Sequence, residues 1–178
     1  MKHRGIILIF TGNGKGKTTA AVGCSARMLG WRKRVVYCTF FKNSLSGEIK
    51  ILKKMDGCKL YMFCCKYPTF SGKNINRKEF EKFFNVEWNN FLKQFRKIKS
   101  CDLLVMDEIL IAIRDNLIKE SDLFSFIKQA QKQMPGMNII LTGRGRAKTI
   151  FEIADIITEM RCIKHPYPYI KASKGIEY

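Results

Sequence analysis

The sequence lacks the features of a secreted or membrane-bound chain. The apolar run behind its basic opening, Ile6 to Phe10, soon meets glycines, far short of the roughly 20 residues that cross a bilayer. No small-residue cleavage site follows it, so it does not read as a signal peptide. The seven cysteines, Cys24, Cys38, Cys58, Cys64, Cys65, Cys101 and Cys162, are odd in number and contain no C-x-x-C unit. That pattern argues against a disulfide framework and against tetrahedral zinc. There is no low-complexity tract and no internal repeat. The expected location is the cytoplasm.

Acidic residues are also scarce. Fifteen Asp plus Glu face 33 Lys plus Arg, a formal charge of +18, which creates a field able to concentrate anions. Polyphosphate, nucleic acid and other anionic ligands all suit it. The basic residues are spread along the chain and no nucleic-acid recognition motif is visible, so a nucleic-acid-binding module is the lesser reading.

What is present describes a globular protein. A chain of 178 residues, 46% hydrophobic and 27% charged, fits a single domain spanning residues 1–178 with a sizeable core. Apolar runs of strand length alternate with helical stretches. Strands are predicted at Gly5 to Phe10, Val35 to Phe41, Lys59 to Cys64, Asp102 to Met106, Asn138 to Leu141 and Ile156 to Ile163. Helices are predicted at Lys17 to Leu29, capped by a left-handed Gly30, at Asn76 to Lys97, at Glu120 to Gln133 and near Lys148 to Ala154. The Phe80, Phe83, Phe84, Phe91 and Phe95 stripe follows the helical period and belongs to the core. Residues 66 to 75 form a loop long enough to carry function. The fold class expected is α/β, a mostly parallel sheet of five or six strands with helices on both faces.

Three segments follow strands directly, at the carboxyl rim where such sheets bind ligands. The first, Thr11-Gly12-Asn13-Gly14-Lys15-Gly16-Lys17-Thr18-Thr19, joins a strand to a helix. Its glycines let backbone amides face inward beside a positive helix end, Lys17 adds a point charge, and the Thr18 hydroxyl is placed for magnesium. Thr11 stands where the Walker pattern has its leading glycine. The NAD fingerprint fails, because its third glycine would fall on Lys17. The second segment, Asp107-Glu108, supplies the acids of a Walker B strand end. In the third, Arg144 sits between Gly143 and Gly145, where a guanidinium suits phosphate oxygens.

These segments, with Phe41-Lys42, Gly47-Glu48, Ala154-Asp155, Thr158-Glu159-Met160-Arg161, Lys164-His165 and the ending Lys171 to Tyr178, resemble in order and spacing the ATP:corrinoid adenosyltransferases of cobalamin synthesis and salvage. The resemblance covers nearly the whole chain. It implies a RecA-like P-loop fold, usually a homodimer, that transfers the 5′-deoxyadenosyl group of ATP to the cobalt of a corrinoid such as cobalamin or cobinamide. The Co(II) corrinoid is reduced to Co(I) by a reduced flavoprotein, Co(I) attacks C5′, and triphosphate leaves intact.

Carried over by position, Gly12, Asn13, Gly14, Lys15, Gly16, Lys17, Thr18 and Thr19 would bind the triphosphate, with the γ-phosphate deep in the loop. Thr18 and Glu108 would serve Mg²⁺, Arg144 would contact phosphate, and Lys17, Glu108 and Arg144 make the catalytic set. Asp107 would orient the metal's waters. Thr69 and Phe70 match the corrinoid-facing loop, whereas Pro68 stands where the family has its first aromatic, with Tyr67 beside it. Lys42, Gly47 and Glu48 match without a role. The rival within the same fold is a P-loop ATPase or small-molecule kinase, with Glu108 orienting water or an acceptor hydroxyl.

Overall fold

The structure is a computed structural model that describes residues 4–42, 46–63, 76–164, 169 and 173–176. Six strands, β1 (Ile7–Thr11), β2 (Val35–Phe40), β3 (Cys58–Phe63), β4 (Leu103–Asp107), β5 (Asn138–Thr142) and β6 (Ile156–Glu159), form one sheet in the order β3-β2-β4-β5-β1-β6. Every pairing is parallel. The helices are α1 (Lys17–Gly30), α2 (Gly47–Leu52), α3 (Arg77–Phe95), α4 (Ile109–Arg114), α5 (Glu120–Gln133) and α6 (Lys148–Glu152).

The period of two along the strands sorts the core. Val35, Tyr37, Leu103, Val105 and Ile140 face α1, packing with Ala21 and with Leu52 of α2. Val36, Cys38, Phe40, Leu104, Met106, Ile139 and Leu141 face the other way, toward α3, α4, α5 and α6. Both faces are covered, so the central strands read as continuous apolar runs. The stripe on α3 is largely core: Phe80, Phe84, Trp88, Phe91 and Phe95 are buried, whereas Phe83 falls off the buried arc and is 54% exposed. Phe91 meets Phe126 of α5 edge-on at 5.6 Å between centroids, a contact worth about 0.5–1.5 kcal/mol beyond the area it buries.

Several boundaries move for physical reasons. Gly30 lies inside α1, and the left-handed position is Arg32 at φ 55°. There the Lys33 N–H returns to Met28 O and the Arg32 N–H to Leu29 O, so the Schellman turn closes two residues beyond the glycine. The sixth strand stops at Glu159, and α6 at Glu152, short of Ala154. Two short helices, α2 and α4, occupy stretches with no helical period to announce them. The predicted loop at 66 to 75, with Tyr67, Pro68, Thr69 and Phe70, lies outside the described residues, as do Cys64, His165 and the final Glu177-Tyr178. None of the described helices is long and apolar enough to cross a membrane.

Candidate functional site

The carboxyl ends of β2, β4, β5 and β1 lie side by side, and all the suspected segments meet there. Between β1 and α1 the chain turns through Gly12 to Gly16. Gly12 has φ 96°, and a Cβ on it would lie 2.4 Å from the Met160 carbonyl oxygen; a Cβ on Gly14 would lie 2.7 Å from the Arg161 carbonyl carbon. The Gly14 N–H donates to Met160 O at 2.7 Å and the Met160 N–H to Thr11 O at 2.9 Å. Met160-Arg161 is therefore the wall against which the glycine loop is folded, and only residues without a Cβ fit so close. Thr11 is also accounted for. It is buried, and its hydroxyl donates to Gly145 O at 3.0 Å, tying the loop to the turn that carries Arg144.

Lys17 is 6% exposed, and its Nζ donates to Gly12 O at 2.8 Å and Gly14 O at 2.7 Å. Burial pulls its pKa below the ordinary lysine value, with Arg144 adding to this and Glu108 and Asp107 opposing it. The loop thus closes on its own ammonium, whose donors are taken up by two loop carbonyls.

The acids are arranged differently from each other. Asp107 is wholly buried, and it accepts from Thr18 Oγ1 at 3.0 Å, from Thr142 Oγ1 at 2.7 Å and from Lys42 Nζ at 2.9 Å. Thr142 Oγ1 in turn accepts the Glu108 N–H at 2.9 Å. The carboxylate bonded to Thr18 is thus Asp107, with Glu108 next to it. Glu108 adopts a left-handed backbone, φ 71°, and its Oε2 is buried without a hydrogen-bond partner. Burial, followed by the charge of Asp107, pushes its carboxyl above the usual range, against the pull of Lys42, Lys17 and Arg144. A buried acceptor with no donor is costly, and such groups concentrate where a ligand completes them.

Lys42 completes the knot. Its Nζ donates to Thr18 Oγ1 at 2.8 Å and Glu48 Oε1 at 3.0 Å as well as to Asp107. Although burial pulls its pKa down, the Asp107 and Glu48 carboxylates outweigh that and hold it above the ordinary lysine value. Phe41, before it, is left-handed at φ 63°, and its ring is seated on Phe84 at 6.1 Å. A bulky residue in that region is a strained one, here locked by packing. Phe41-Lys42 follows β2 just as the other segments follow their strands, which was the available signal for its importance, whereas Glu48 comes from the first turn of α2.

A cavity of about 520 Å³ opens among the glycine loop, Lys42, Glu48, Glu108 and Arg144, with Gly175 and Ile176 of the tail also on its wall. A second, of about 540 Å³, lies on the other side of Arg144 against Phe151, Ile157 and Glu159. Another cleft, between α3 and α5, shares no residue with either. Lys15 and Arg144 are exposed. Among the described residues no three His, Cys, Asp or Glu side chains converge as a self-sufficient metal site. The oxygens of Thr18 and Asp107 around an ammonium, with an unpartnered Glu108 oxygen beside them, instead fit a hard cation that completes its shell with phosphates.

The family described as "ATP:corrinoid adenosyltransferase BtuR/CobO/CobP" matches residues 3–178. Corrinoid adenosyltransferases of Escherichia coli (strain K12) and Salmonella typhimurium (strain LT2) are 30% and 31% identical to the chain, in each case over 99% of its length and 87% of theirs. Among solved structures, the flagellar accessory protein FlaH of Methanocaldococcus jannaschii superposes with a TM-score of 0.56 at 16% identity, covering 89% of this chain and 72% of that one. A KaiC-like protein of Pyrococcus horikoshii OT3 gives 0.51 at 16%, covering 87% and 71%. At such identity these neighbours bear on the fold alone, which is the P-loop, RecA-like sheet.

Proposed function

The chain belongs to the ATP:corrinoid adenosyltransferase family BtuR/CobO/CobP, and from that premise we propose that it transfers the 5′-deoxyadenosyl group of ATP to the cobalt of a Co(I) corrinoid, releasing triphosphate. The carbon–oxygen bond at C5′ breaks, the cobalt electron pair forms the new cobalt–carbon bond, and the negative charge collects on the triphosphate. The reaction needs a cradle for a polyanionic leaving group and no base. The observation that carries the reading is the lining of the cavity: Lys15, Lys17 and Arg144 stand on its wall beside the glycine loop, three cations for a polyanionic leaving group. Of its two carboxyl groups, Glu48 is held by Lys42, while Glu108 keeps one oxygen without a partner and has its carboxyl raised above the usual range by burial.

Each residue has a role in this reading. The loop from Gly12 to Gly16 would wrap the triphosphate, using its amides other than that of Gly14, which donates to Met160 O, with Asn13 and Thr19 at the margins. Lys17 exchanges the carbonyls of Gly12 and Gly14 for phosphate oxygens, and Arg144 reaches over from the β5 turn. Charge already placed where it develops costs no reorganisation during reaction. Thr18, with Asp107 or Glu108, would hold Mg²⁺. The ion, when bound, would neutralise phosphate charge. Thr69 and Phe70 are proposed as corrinoid contacts from the resemblance. We assign the +18 charge to steered encounter with an acidic reduced flavoprotein, and take the protein to be a cytoplasmic homodimer.

Anaerobic incubation with Mg-ATP and chemically reduced cobalamin tests this. A light-sensitive alkyl-cobalt spectrum and stoichiometric triphosphate are expected, and Lys17→Ala should abolish both. The free oxygen of Glu108 favours one rival, an ATPase or kinase in which it orients water or an acceptor hydroxyl. ADP and phosphate as the main products would establish the rival instead.

A further inference from the structure

We infer that Lys42 is a resident counter-cation: its ammonium occupies the oxygen cage of Thr18, Asp107 and Glu48 while the nucleotide site is empty, excludes a divalent ion from it, and yields the cage when metal and nucleotide arrive together. The inference rests on the reading of Thr18 as the metal-binding hydroxyl and adds a role for a residue outside the expected site.

Three distances carry it. Lys42 Nζ lies 2.8 Å from Thr18 Oγ1, 2.9 Å from Asp107 Oδ2 and 3.0 Å from Glu48 Oε1. An ammonium has three N–H donors, and all three are used, each on a different oxygen. Two of those oxygens belong to carboxylates, so the cage without Lys42 would offer two negative charges and a hydroxyl, a donor set of the kind hard divalent cations take. With Lys42 in place the formal charge of the cage is reduced to a single negative, and the coordinating lone pairs face N–H bonds.

The ammonium is placed by the fold. β2 lies next to β4, with Thr39 opposite Asp107 in register. Phe41, in its left-handed conformation and seated on Phe84, turns the chain so that the next residue comes back over the end of β4. The same cavity that holds the glycine loop is lined by Lys42. Once displaced, the ammonium therefore has triphosphate oxygens within the cavity as its new partners, and the positive charge stays in the site. A metal that enters alone meets a filled cage; one that enters on the nucleotide brings the anion that draws Lys42 away. The arrangement predicts that metal and ATP bind as a unit.

Manganese as a probe separates the possibilities. Free Mn²⁺ is followed by electron paramagnetic resonance on the whole chain, with and without ATP, for the wild type, Lys42→Met, Lys42→Gln, Lys42→Arg and Thr18→Val. Without ATP the wild type and Lys42→Arg should bind Mn²⁺ weakly, and Lys42→Met and Lys42→Gln at least tenfold more tightly. Adding Thr18→Val to Lys42→Met should remove most of that gain. Circular dichroism identifies folded variants, and either neutral substitution suffices. Equal nucleotide-free Mn²⁺ affinity in wild type and a folded neutral variant would overturn the inference while leaving Thr18 as a metal ligand. Mn-ATP binding untouched by Thr18→Val would overturn the reading beneath it, and the inference with it.

Discussion

Replacing Asp107 by asparagine tests the polar knot beneath the site, because the carboxylate is wholly buried and accepts from three side chains. Thr18, Thr142 and Lys42 all donate to it. Asparagine has nearly the same shape but only one acceptor oxygen, and its NH₂ would face a donor. Lys42 would keep Glu48 as its only anion. Breaking a buried ion pair by removing one partner costs about 3–5 kcal/mol. For a domain of this size each kcal/mol lowers Tm by about 2–4 °C, so a fall on the order of 6–20 °C is expected. Urea unfolding without nucleotide measures the same loss by linear extrapolation. The decisive comparison is a double-mutant cycle with Lys42→Met: the double variant should be less destabilised than the sum of the singles by about 1–3 kcal/mol. Additive single effects, within about 0.5 kcal/mol, would show that Lys42 and Asp107 do not act as a pair and would refute the reasoning.

Two glycines in the same region should respond in opposite ways. Gly12→Ala meets Met160 O at a positive φ and should lose at least about 1 kcal/mol together with ATP binding measured by calorimetry. Gly23→Ala, in the interior of α1 with nothing near its missing Cβ, should gain up to about 1 kcal/mol and leave ATP affinity alone. Glu108→Gln should raise stability at neutral pH by on the order of 0.5–2 kcal/mol, read as a higher melting temperature, while slowing cobalt alkylation. Its folded carboxyl holds a proton more readily than the unfolded one, so stability is lost as pH rises from about the model-peptide value into the folded titration range. Glu48 has the opposite sign: although burial would raise its pKa, Lys42 and hydrogen bonds outweigh it and hold the carboxyl below the ordinary value. Its stabilisation is present above the ordinary glutamate range and lost as pH falls through the lower, folded value, and Glu48→Gln should flatten that acid limb of a melting-temperature profile.

The sheet was legible because its central strands are covered on both faces and so announce themselves as apolar runs between glycine-rich turns. Glu120 to Gln133 was readable to the residue because Pro135-Gly136 stops it and its apolar positions repeat at the helical period. What stayed hidden was local structure without a period. α4 is a six-residue helix of almost entirely apolar sequence, indistinguishable in composition from another buried strand. α2 is equally short, and its start at Gly47 resembles a loop. The end of α1 misled for a different reason: glycine is the usual left-handed residue, but Arg32 takes that seat because hydrogen bonds back to Met28 and Leu29 fix the turn there.

The site was legible as a set of segments and not as a set of partners. A glycine loop, an Asp-Glu strand end and a Gly-Arg-Gly turn each carry their chemistry in their own residues, and the parallel topology brings them to one rim. Which hydroxyl meets which carboxylate depends on strand order. That Lys42 reaches Asp107 follows only from β2 lying beside β4, and that Met160 backs the glycine loop follows only from β6 pairing with β1. The partners, once known, show an asymmetry between the charges. Asp107 is held by three donors and Glu48 by Lys42, whereas Glu108 has one oxygen without a partner and a carboxyl raised above the usual range by burial. Lys15 and Arg144, by contrast, stand exposed at the mouth, and Lys17 donates to two neutral carbonyls. Two of the three carboxylates at the rim are thus spent on Lys42 and its neighbours, Glu108 keeps an oxygen unpartnered, and Lys15 and Arg144 are left exposed. A site built for hydrolysis has to keep an anionic acceptor free near the attacking water. One built to let a whole triphosphate depart has to keep cations available instead, and the exposed Lys15 and Arg144 are those the proposed transfer would use.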